Sequence, residues 1–495
     1  MSPSASGLVA QLGNKLSLNS SSSSATAATA AAGTPSSKKT AAATTHASDK
    51  QLASAQIIAL EHAKSAHNYA PLPVVLDRGQ GALVWDPEGN EYIDCLSAYS
   101  AVNQGHCHPR IVNALATQAQ RLTLSSRAFY NSRFGPFADK ITSLLGYDMV
   151  LPMNTGAEAV ETALKLARKW AYLKKGVPEG KARILTVDGN FHGRTIGIVS
   201  MSTDPSSRAG FGPFLERVGP VLEDVSSPEN PVPAHGGPIR YGVIEDLEHA
   251  LDEVGTETAA FLVEPIQGEA GIVVPPHGYL AQVQALCKKH NVLFICDEIQ
   301  TGLGRTGTML ACSHEEGVRP DIITLGKALS GGVYPVSAVL ADKDIMLTIA
   351  PGEHGSTYGG NPLGAAVASE ALDVLIDEDL CARADTLGKR FRAELQAVVD
   401  AQPDGLLTEV RGKGLLNAIV IDQSKSVKGR SAWQLCLLLK ARGLLAKPTH
   451  ENIIRLAPPL VITDEQLDKS IDIIKKALVE IETIDEVPGD DGSHH

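Results

Sequence analysis

In the string VLFICDEIQTG an apolar run stops at Asp297 and Glu298, with Gln300 just beyond. The C-terminal ends of parallel strands open into the ligand crevice of an α/β sheet, so two carboxylates at such an end call for a chemical explanation. Standing alone, an aspartate there reads as a helix cap or a surface charge. Further along, DIITLGK ends in Lys327 and runs into ALSGG, which places a lysine at an equivalent strand end beside a flexible, glycine-rich turn. A lysine desolvated in such a crevice loses its proton readily and attacks aldehydes. Together the two residues suit pyridoxal phosphate: the lysine forms a Schiff base with the cofactor, and the aspartate keeps the pyridine nitrogen protonated.

That cofactor also needs an anion cup and a stacking surface. At NTGAEA a strand gives way to a helix around Thr155 and Gly156, where free amides and the helix dipole attract a phosphate. In GNFHGRT, Phe191 is placed to stack on a ring, and Arg194 offers a two-pronged grip on a carboxylate. Individually these residues also read as core packing and surface charge. Two motifs point elsewhere. Gly302, Gly304 and Gly307 reproduce the G-x-G-x-x-G spacing of a nicotinamide-dependent oxidoreductase, but no long helix follows, and the next acidic residue, Asp321, precedes its strand. Gly326 and Lys327 lack the Ser or Thr of a nucleotide-binding P-loop, because Ala328 follows. The triplet His106, Cys107, His108 has the residue types of a metal site, yet its neighbours diverge and nothing nearby completes it, so it reads as a turn feeding a helix at Pro109.

The elements that must position these groups alternate. Short β-branched runs (Met149 to Pro152, Ile184 to Val187, Ala260 to Pro265, Val292 to Ile295, Asp321 to Leu325, Val336 to Leu340) are separated by helical stretches such as Glu158 to Lys174 and Tyr279 to His290. This predicts a mostly parallel sheet with helices on both faces. Before it come a hairpin of Leu83 to Trp85 with Tyr92 to Leu96, and helices near 109–121 and 133–145. Ser226 to Pro238, rich in Pro and Gly, reads as a surface loop. From about 361 long helices lead to strands at Leu415 to Ile421 and Ile453 to Leu456 and an amphipathic helix from Thr463, which predicts a smaller α+β domain. The resulting division is a tail at 1–50, an N-terminal segment at 51–110 packing with the small domain, a large domain at 111–360, the small domain at 361–486, and a tail with a tag-like GSHH end at 487–495.

The 495 residues, 43% hydrophobic, suffice for a large core. A net charge of -12 without a basic, aromatic stripe argues against a nucleic-acid partner. No apolar run reaches the roughly 20 residues of a spanning helix, which argues against a membrane protein. Seven scattered cysteines without C-x-x-C spacing point to a reducing compartment. The Ser-rich, acid-poor start resembles an organellar transit peptide but has no arginine, so an organellar matrix and the cytoplasm both stay open.

Taken in order, NTGAEA, GNFHGRT, VEPIQGEAG, FICDEIQTG, TLGKALSGG and GSTYGGNP resemble the class III aminotransferases, over roughly residues 55 to 485. HNYAPLP, SAYSAVNQGHCHP, SRAFYN, RGKGLLNAIV, LLAKPTH and IIRLAPPLVI are similar to the ornithine-specific branch of that family. The resemblance implies a type I aminotransferase fold and a homodimer that moves the δ-amine of ornithine to 2-oxoglutarate. By the same resemblance Lys327 would hold the pyridoxal phosphate, Asp297 would pair with its pyridine nitrogen and Gln300 with its ring hydroxyl. Phe191 and Ile299 would sandwich the ring, and Gly156, Ala157 and Ser356 would bind the phosphate, with Thr357 reaching the partner subunit's site. Tyr69 and Arg194 would hold the α-amino and α-carboxylate groups of ornithine, and Tyr99 would disfavour 4-aminobutyrate. Glu269 paired with Arg455 would form a switch between the two substrates, although nothing in the spacing brings those two together. The rivals are a 4-aminobutyrate or acetylornithine aminotransferase and the nicotinamide-dependent oxidoreductase.

Overall fold

Runs such as TAAFLV and LFICD have no polar side to turn to water, so strands built from them must be covered on both faces. In the computed structural model, which describes residues 52–220, 237–490 and 492, they form the middle of a seven-stranded sheet. Its spatial order is Met149–Met153, Ser337–Ala341, Ile322–Leu325, Leu293–Asp297, Thr258–Val263, Arg183–Leu185 and Val218–Gly219. Ser337–Ala341 runs antiparallel to both neighbours, and the other pairings are parallel. Two reversals cancel, so Met149–Met153 points the same way as the parallel set. One edge therefore collects Thr155, Glu264, Asp297 and Lys327.

Strand alternation sends neighbouring residues to opposite faces. Ala260, Leu262 and Ile295 pack under the helix Gly156–Trp170, against Ala159, Val160 and Ala163. Phe261, Phe294 and Ile323 face the other way, into a core with Leu251, Val283 and Ala368 from the helices Ile244–Val254, Tyr279–Lys289 and Pro362–Asp377. Each large side chain so buried contributes about 1.5–3 kcal/mol.

The smaller antiparallel sheet has the order Leu407–Lys413, Leu416–Ile421, Ile453–Leu456, Lys447–Thr449. Thr463 caps the helix Asp464–Glu480 by accepting from the Gln466 amide (3.2 Å). Near the N-terminus, the expected hairpin gains a strand at Arg78–Gln80, and Leu444–Leu445 pairs parallel to Glu91–Asp94. Leu407–Lys413 escaped the sequence reading because TEVRGK is polar and its residues are mostly only part-buried. The tail at 1–50 and the end at 493–495 lie outside the described residues, as does all of the Pro-rich loop but Gly237 and Pro238. Among the described residues no helix is long and apolar enough to cross a membrane.

The G-x-G-x-x-G segment has a packing role. Gly304 and Gly307 take positive φ (87° and 99°) and bend the loop around Arg305, which is fully buried. Its guanidinium donates to Asn103 Oδ1 (2.6 Å), Leu415 O (2.9 Å) and Pro458 O (2.6 Å), fastening three distant stretches of chain. Glu298 is likewise neither cap nor surface charge: its buried carboxylate accepts from Thr301 Oγ1 and from the amides of Ala311 and Cys312, holding the far end of that loop. His106 and His108 turn to different carboxylates, Asp94 (2.7 Å) and Glu378 (3.0 Å), and the helix Pro109–Ala119 begins directly after them.

Gly388, inside the helix Leu380–Ala401, lies so close to the Gly414 turn that a Cβ would strike the Gly414 carbonyl. Alanine ordinarily improves a helix by about 1 kcal/mol over glycine, whereas overpacking against rigid backbone costs about 1–3 kcal/mol. The clash dominates, so Gly388→Ala is expected to lower the thermal unfolding midpoint; a midpoint raised by the substitution contradicts this packing.

Candidate active site

Lys327 follows the strand Ile322–Leu325 and sits in a left-handed turn, with φ of 43°. An L-residue held there carries strain of about 1–2 kcal/mol, which the surroundings must impose. Gln104 imposes part of it, donating to the carbonyls of Ala328 (3.0 Å) and Ala371 (3.1 Å). The glycines of ALSGG also serve close packing: a Cβ on Gly331 would meet Ile111 and one on Gly332 would meet Val102. Part of Lys327 reaches solvent, but its amine lies deep among other groups. Burial lowers its basicity, and the nearby charges of Glu269 and Asp297 pull the other way without cancelling the effect. A larger neutral fraction follows, which is the form that attacks a carbonyl.

Asp297 is almost fully buried and held at both oxygens. Oδ1 accepts from Thr324 Oγ1 (3.0 Å) and the Ile299 amide (3.1 Å). Oδ2 accepts from His192 Nδ1 at 2.7 Å, so Nδ1 is the protonated nitrogen, an ionised carboxylate having no donor of its own. The same edge ends Met149–Met153 in Thr155, whose hydroxyl caps the helix Gly156–Trp170 and whose amide donates to Glu158 in a capping box. That leaves the first-turn amides of Gly156 and Ala157 without intrahelical acceptors, an anion site by geometry. Gly156 lies close to Ile299: a Cβ there would come within 3.1 Å of that side chain, which would have to shift. Ser356 Oγ accepts from Asn154 Nδ2 (2.8 Å) at the mouth of this site, and Thr357 beside it is exposed.

The second cluster joins elements that the sequence keeps far apart. Arg455, on Ile453–Leu456, is 1% exposed. Its Nη1 donates to Glu269 Oε1 (3.1 Å) and Gln300 Oε1 (3.2 Å), and its Nη2 to Gly268 O (3.1 Å). Gln300 Nε2 also donates to Glu269 Oε1 (3.1 Å), so both ends of that amide are engaged by the pair. Burial would raise the Glu269 carboxyl, but the charge and hydrogen bond of Arg455, with Lys327 and Gln300, outweigh it and hold it below the usual carboxylate range. The pair is therefore intact at neutral pH and is lost only as pH falls through that depressed value. The ring of Tyr99 lies 5.1 Å from the Arg455 guanidinium, and burial raises its phenol, so it stays protonated. Tyr99 is presented by four consecutive residues at positive φ, Ser97 to Ser100, anchored by Asp94 Oδ1 accepting from the amides of Leu96 and Ser97. Arg194 is exposed and stands 5.7 Å from the Phe191 ring and 6.0 Å from that of Tyr69.

The expected residues thus fall into two adjoining groups, one around Lys327 and Asp297 and one around Arg455. Three more belong with them. His192 pins Asp297, Gln104 pins the Lys327 turn, and Glu264 accepts from the amides of Phe191 and Gly268. Each lies inside a motif string quoted above, between residues chosen for their chemistry; a polar residue embedded in a glycine-rich or apolar string was the available signal.

A lysine of lowered basicity, a pinned carboxylate and an anion-binding helix start, flanked by Phe191 and Ile299, fit pyridoxal phosphate and define an amine-handling enzyme. Residues 64–478 match the family described as aminotransferase class-III. The chain belongs to the class III aminotransferases, whose cofactor is pyridoxal phosphate. It is 58% identical over 436 residues to an ornithine aminotransferase of Schizosaccharomyces pombe, spanning 88% of this chain and 96% of that one. Its fold is similar to that of the Toxoplasma gondii ornithine aminotransferase, reported with partial occupancy of PLP at its active site (TM-score 0.79, 45% identity, 86% of this chain and 95% of that one). It is also similar to an acetylornithine aminotransferase of Elizabethkingia anophelis (TM-score 0.76, 57% identity, 86% and 99%).

Borohydride reduction of the protein loaded with pyridoxal phosphate is expected to fix the cofactor on Lys327, read by peptide mass spectrometry. An adduct confined to other lysines would remove Lys327 from the centre of the site.

Proposed function

We propose that this chain moves the δ-amino group of L-ornithine to 2-oxoglutarate, giving glutamate 5-semialdehyde, which cyclises to pyrroline-5-carboxylate, and glutamate. The observation that carries the reading is the cluster of Arg455, Glu269 and Gln300. A buried guanidinium neutralised by a neighbour suits a substrate with one carboxylate, and the same guanidinium released suits a substrate with two. The ornithine aminotransferases among the relatives support the choice of substrate.

Pyridoxal phosphate, when bound, supplies an electron sink that stabilises negative charge at the substrate carbon. Lys327 would hold it and, with its basicity lowered by burial, would be the amine that moves the proton at the substrate carbon. Asp297, pinned by His192, keeps the pyridine nitrogen protonated. The amides of Gly156 and Ala157 and the Ser356 hydroxyl grip the phosphate, and Phe191 and Ile299 flank the ring. Gln300 would bond the ring hydroxyl of the cofactor. Tyr69 and Arg194 take the α-amino and α-carboxylate end of ornithine, so that the δ-amine is the one presented, and Tyr99 lines the slot between.

The working unit is a homodimer in which Thr357 completes the phosphate site of the partner subunit. Support comes from the exposure of Thr357 and of the aromatic residues Phe129 (74%), Tyr130 (98%) and Tyr358 (50%) on a single chain. Residues 111–360 act as the cofactor-binding domain, 361–486 as the small domain and 51–110 as the segment that packs with it. A second reading, N-acetylornithine as amine donor, is favoured by the Elizabethkingia relative. Acetylation removes the positive α-ammonium group, so the two donors differ at the end assigned to Tyr69 and Arg194.

Visible absorbance of the cofactor-loaded protein should fall on addition of L-ornithine and return with 2-oxoglutarate, while Lys327→Ala cannot turn over. A response to N-acetylornithine or 4-aminobutyrate in place of ornithine would overturn the substrate but keep the class. Glu269→Gln removes the charge that neutralises Arg455. It is expected to lower kcat/KM for ornithine about tenfold, equivalent to ~1.4 kcal/mol, and to favour 2-oxoglutarate. An unchanged ratio of the two values argues against the switch.

A further inference from the structure

Glu264 stands at the end of the strand Thr258–Val263, nearly completely buried, and the proposed reaction gives it no part. Its two oxygens hold two different walls of the site. Oε1 accepts from the amide of Phe191 (2.9 Å) and Oε2 from the amide of Gly268 (3.0 Å). Phe191 is followed by His192, whose ring holds Asp297. Gly268 is followed by Glu269, and its own carbonyl receives Arg455 Nη2. Gly268 lies against the Gln300 side-chain amide, which a Cβ on it would meet. Behind the carboxylate, the Tyr241 hydroxyl donates to the carbonyls of Glu264 and Pro265 (3.0 Å each), fixing the backbone that carries it.

We propose that Glu264 is a positioning residue that couples the stacking wall to the substrate switch, its carboxylate bridging the amides of Phe191 and Gly268 so that the Gly268 carbonyl aims Arg455. The proposal deepens the reading of a two-substrate transaminase and rests on it for the role of Arg455.

The ionised carboxylate is the stronger acceptor for both amides; a proton on one oxygen adds a donor there and weakens the acceptance. The ionisable groups that face Glu264 are His192, Asp297, Tyr241 and Lys327. Burial raises the Glu264 carboxyl to about 7, the His192 charge and the two amides opposing it. The bridge is strongest above that value and weakens as pH falls through it. Loss of the Gly268 anchor bears on Arg455 most when Arg455 must receive a second carboxylate, so 2-oxoglutarate is affected more than ornithine.

The test is Glu264→Gln in the cofactor-loaded enzyme, with the two half-reactions followed separately by visible absorbance across about pH 6 to 8. The expected result has three parts. The variant retains the cofactor, kcat/KM for 2-oxoglutarate falls about tenfold at the alkaline end while ornithine changes less, and the decline that wild type shows toward acid is absent. Equal losses in both half-reactions indicate a merely structural residue and overturn the proposal, as does a variant indistinguishable from wild type. If the amide variant does not hold the cofactor, Glu264→Asp decides: a retained acid decline supports the bridge, and its absence overturns it. If wild type ignores ornithine but uses N-acetylornithine, the substrate reading fails, and the 2-oxoglutarate half-reaction still reads the bridge.

Discussion

A guanidinium that is 1% exposed must be neutralised, because withdrawing an unpaired charge from water costs several kcal/mol. Arg455 carries that constraint, and much of the site is arranged around meeting it. Glu269 supplies the charge, Gln300 bridges the two, the Gly268 carbonyl takes the second nitrogen, and the Tyr99 ring faces the guanidinium. None of these partners is permanent in chemical terms. A substrate carboxylate can replace Glu269, since it brings the same charge and the same two acceptor oxygens. Under the proposed function, the constraint that stabilises the resting site is the one that would admit a dicarboxylate.

The Lys327 side of the site depends on a different balance. Burial makes its amine less basic, while Glu269 and Asp297 keep the effect from running to completion. Asp297 in turn is held at both oxygens, by Thr324 and Ile299 on one and His192 on the other, so its negative charge stays fixed where the sheet edge opens. The strained turn at Lys327 and the left-handed run at Ser97 to Ser100 are each held by side-chain anchors, Gln104 and Asp94. Strain at these two places aims the residues that chemistry needs, and the packed scaffold sustains it.

Much of this was legible in the amino-acid order. Short β-branched apolar runs bounded by turn residues read as strands covered on both faces, so the parallel sheet and the edge carrying Asp297 and Lys327 follow from run length, composition and order. The helix start at Thr155 is likewise written in its capping box, TGAE. Illegible were the elements with no strong period, such as Leu407–Lys413, and the work of the glycines at 302–307, whose spacing mimics a nucleotide loop while the positive φ of Gly304 and Gly307 wraps the chain around Arg305.

What the sequence by itself determined is therefore local: residue type, periodicity, caps, and the chemistry available at each strand end. Tertiary structure alone decided which distant groups meet. Glu269 and Arg455 lie 186 positions apart, and Phe191 and Glu264 lie 73 apart. No local rule reports such a distance, because it is set by how two sheets and their connecting helices pack. The switch proposed at Arg455 depends on its strand burying it beside the turn that follows Thr258–Val263, where low local dielectric makes a carboxylate partner necessary.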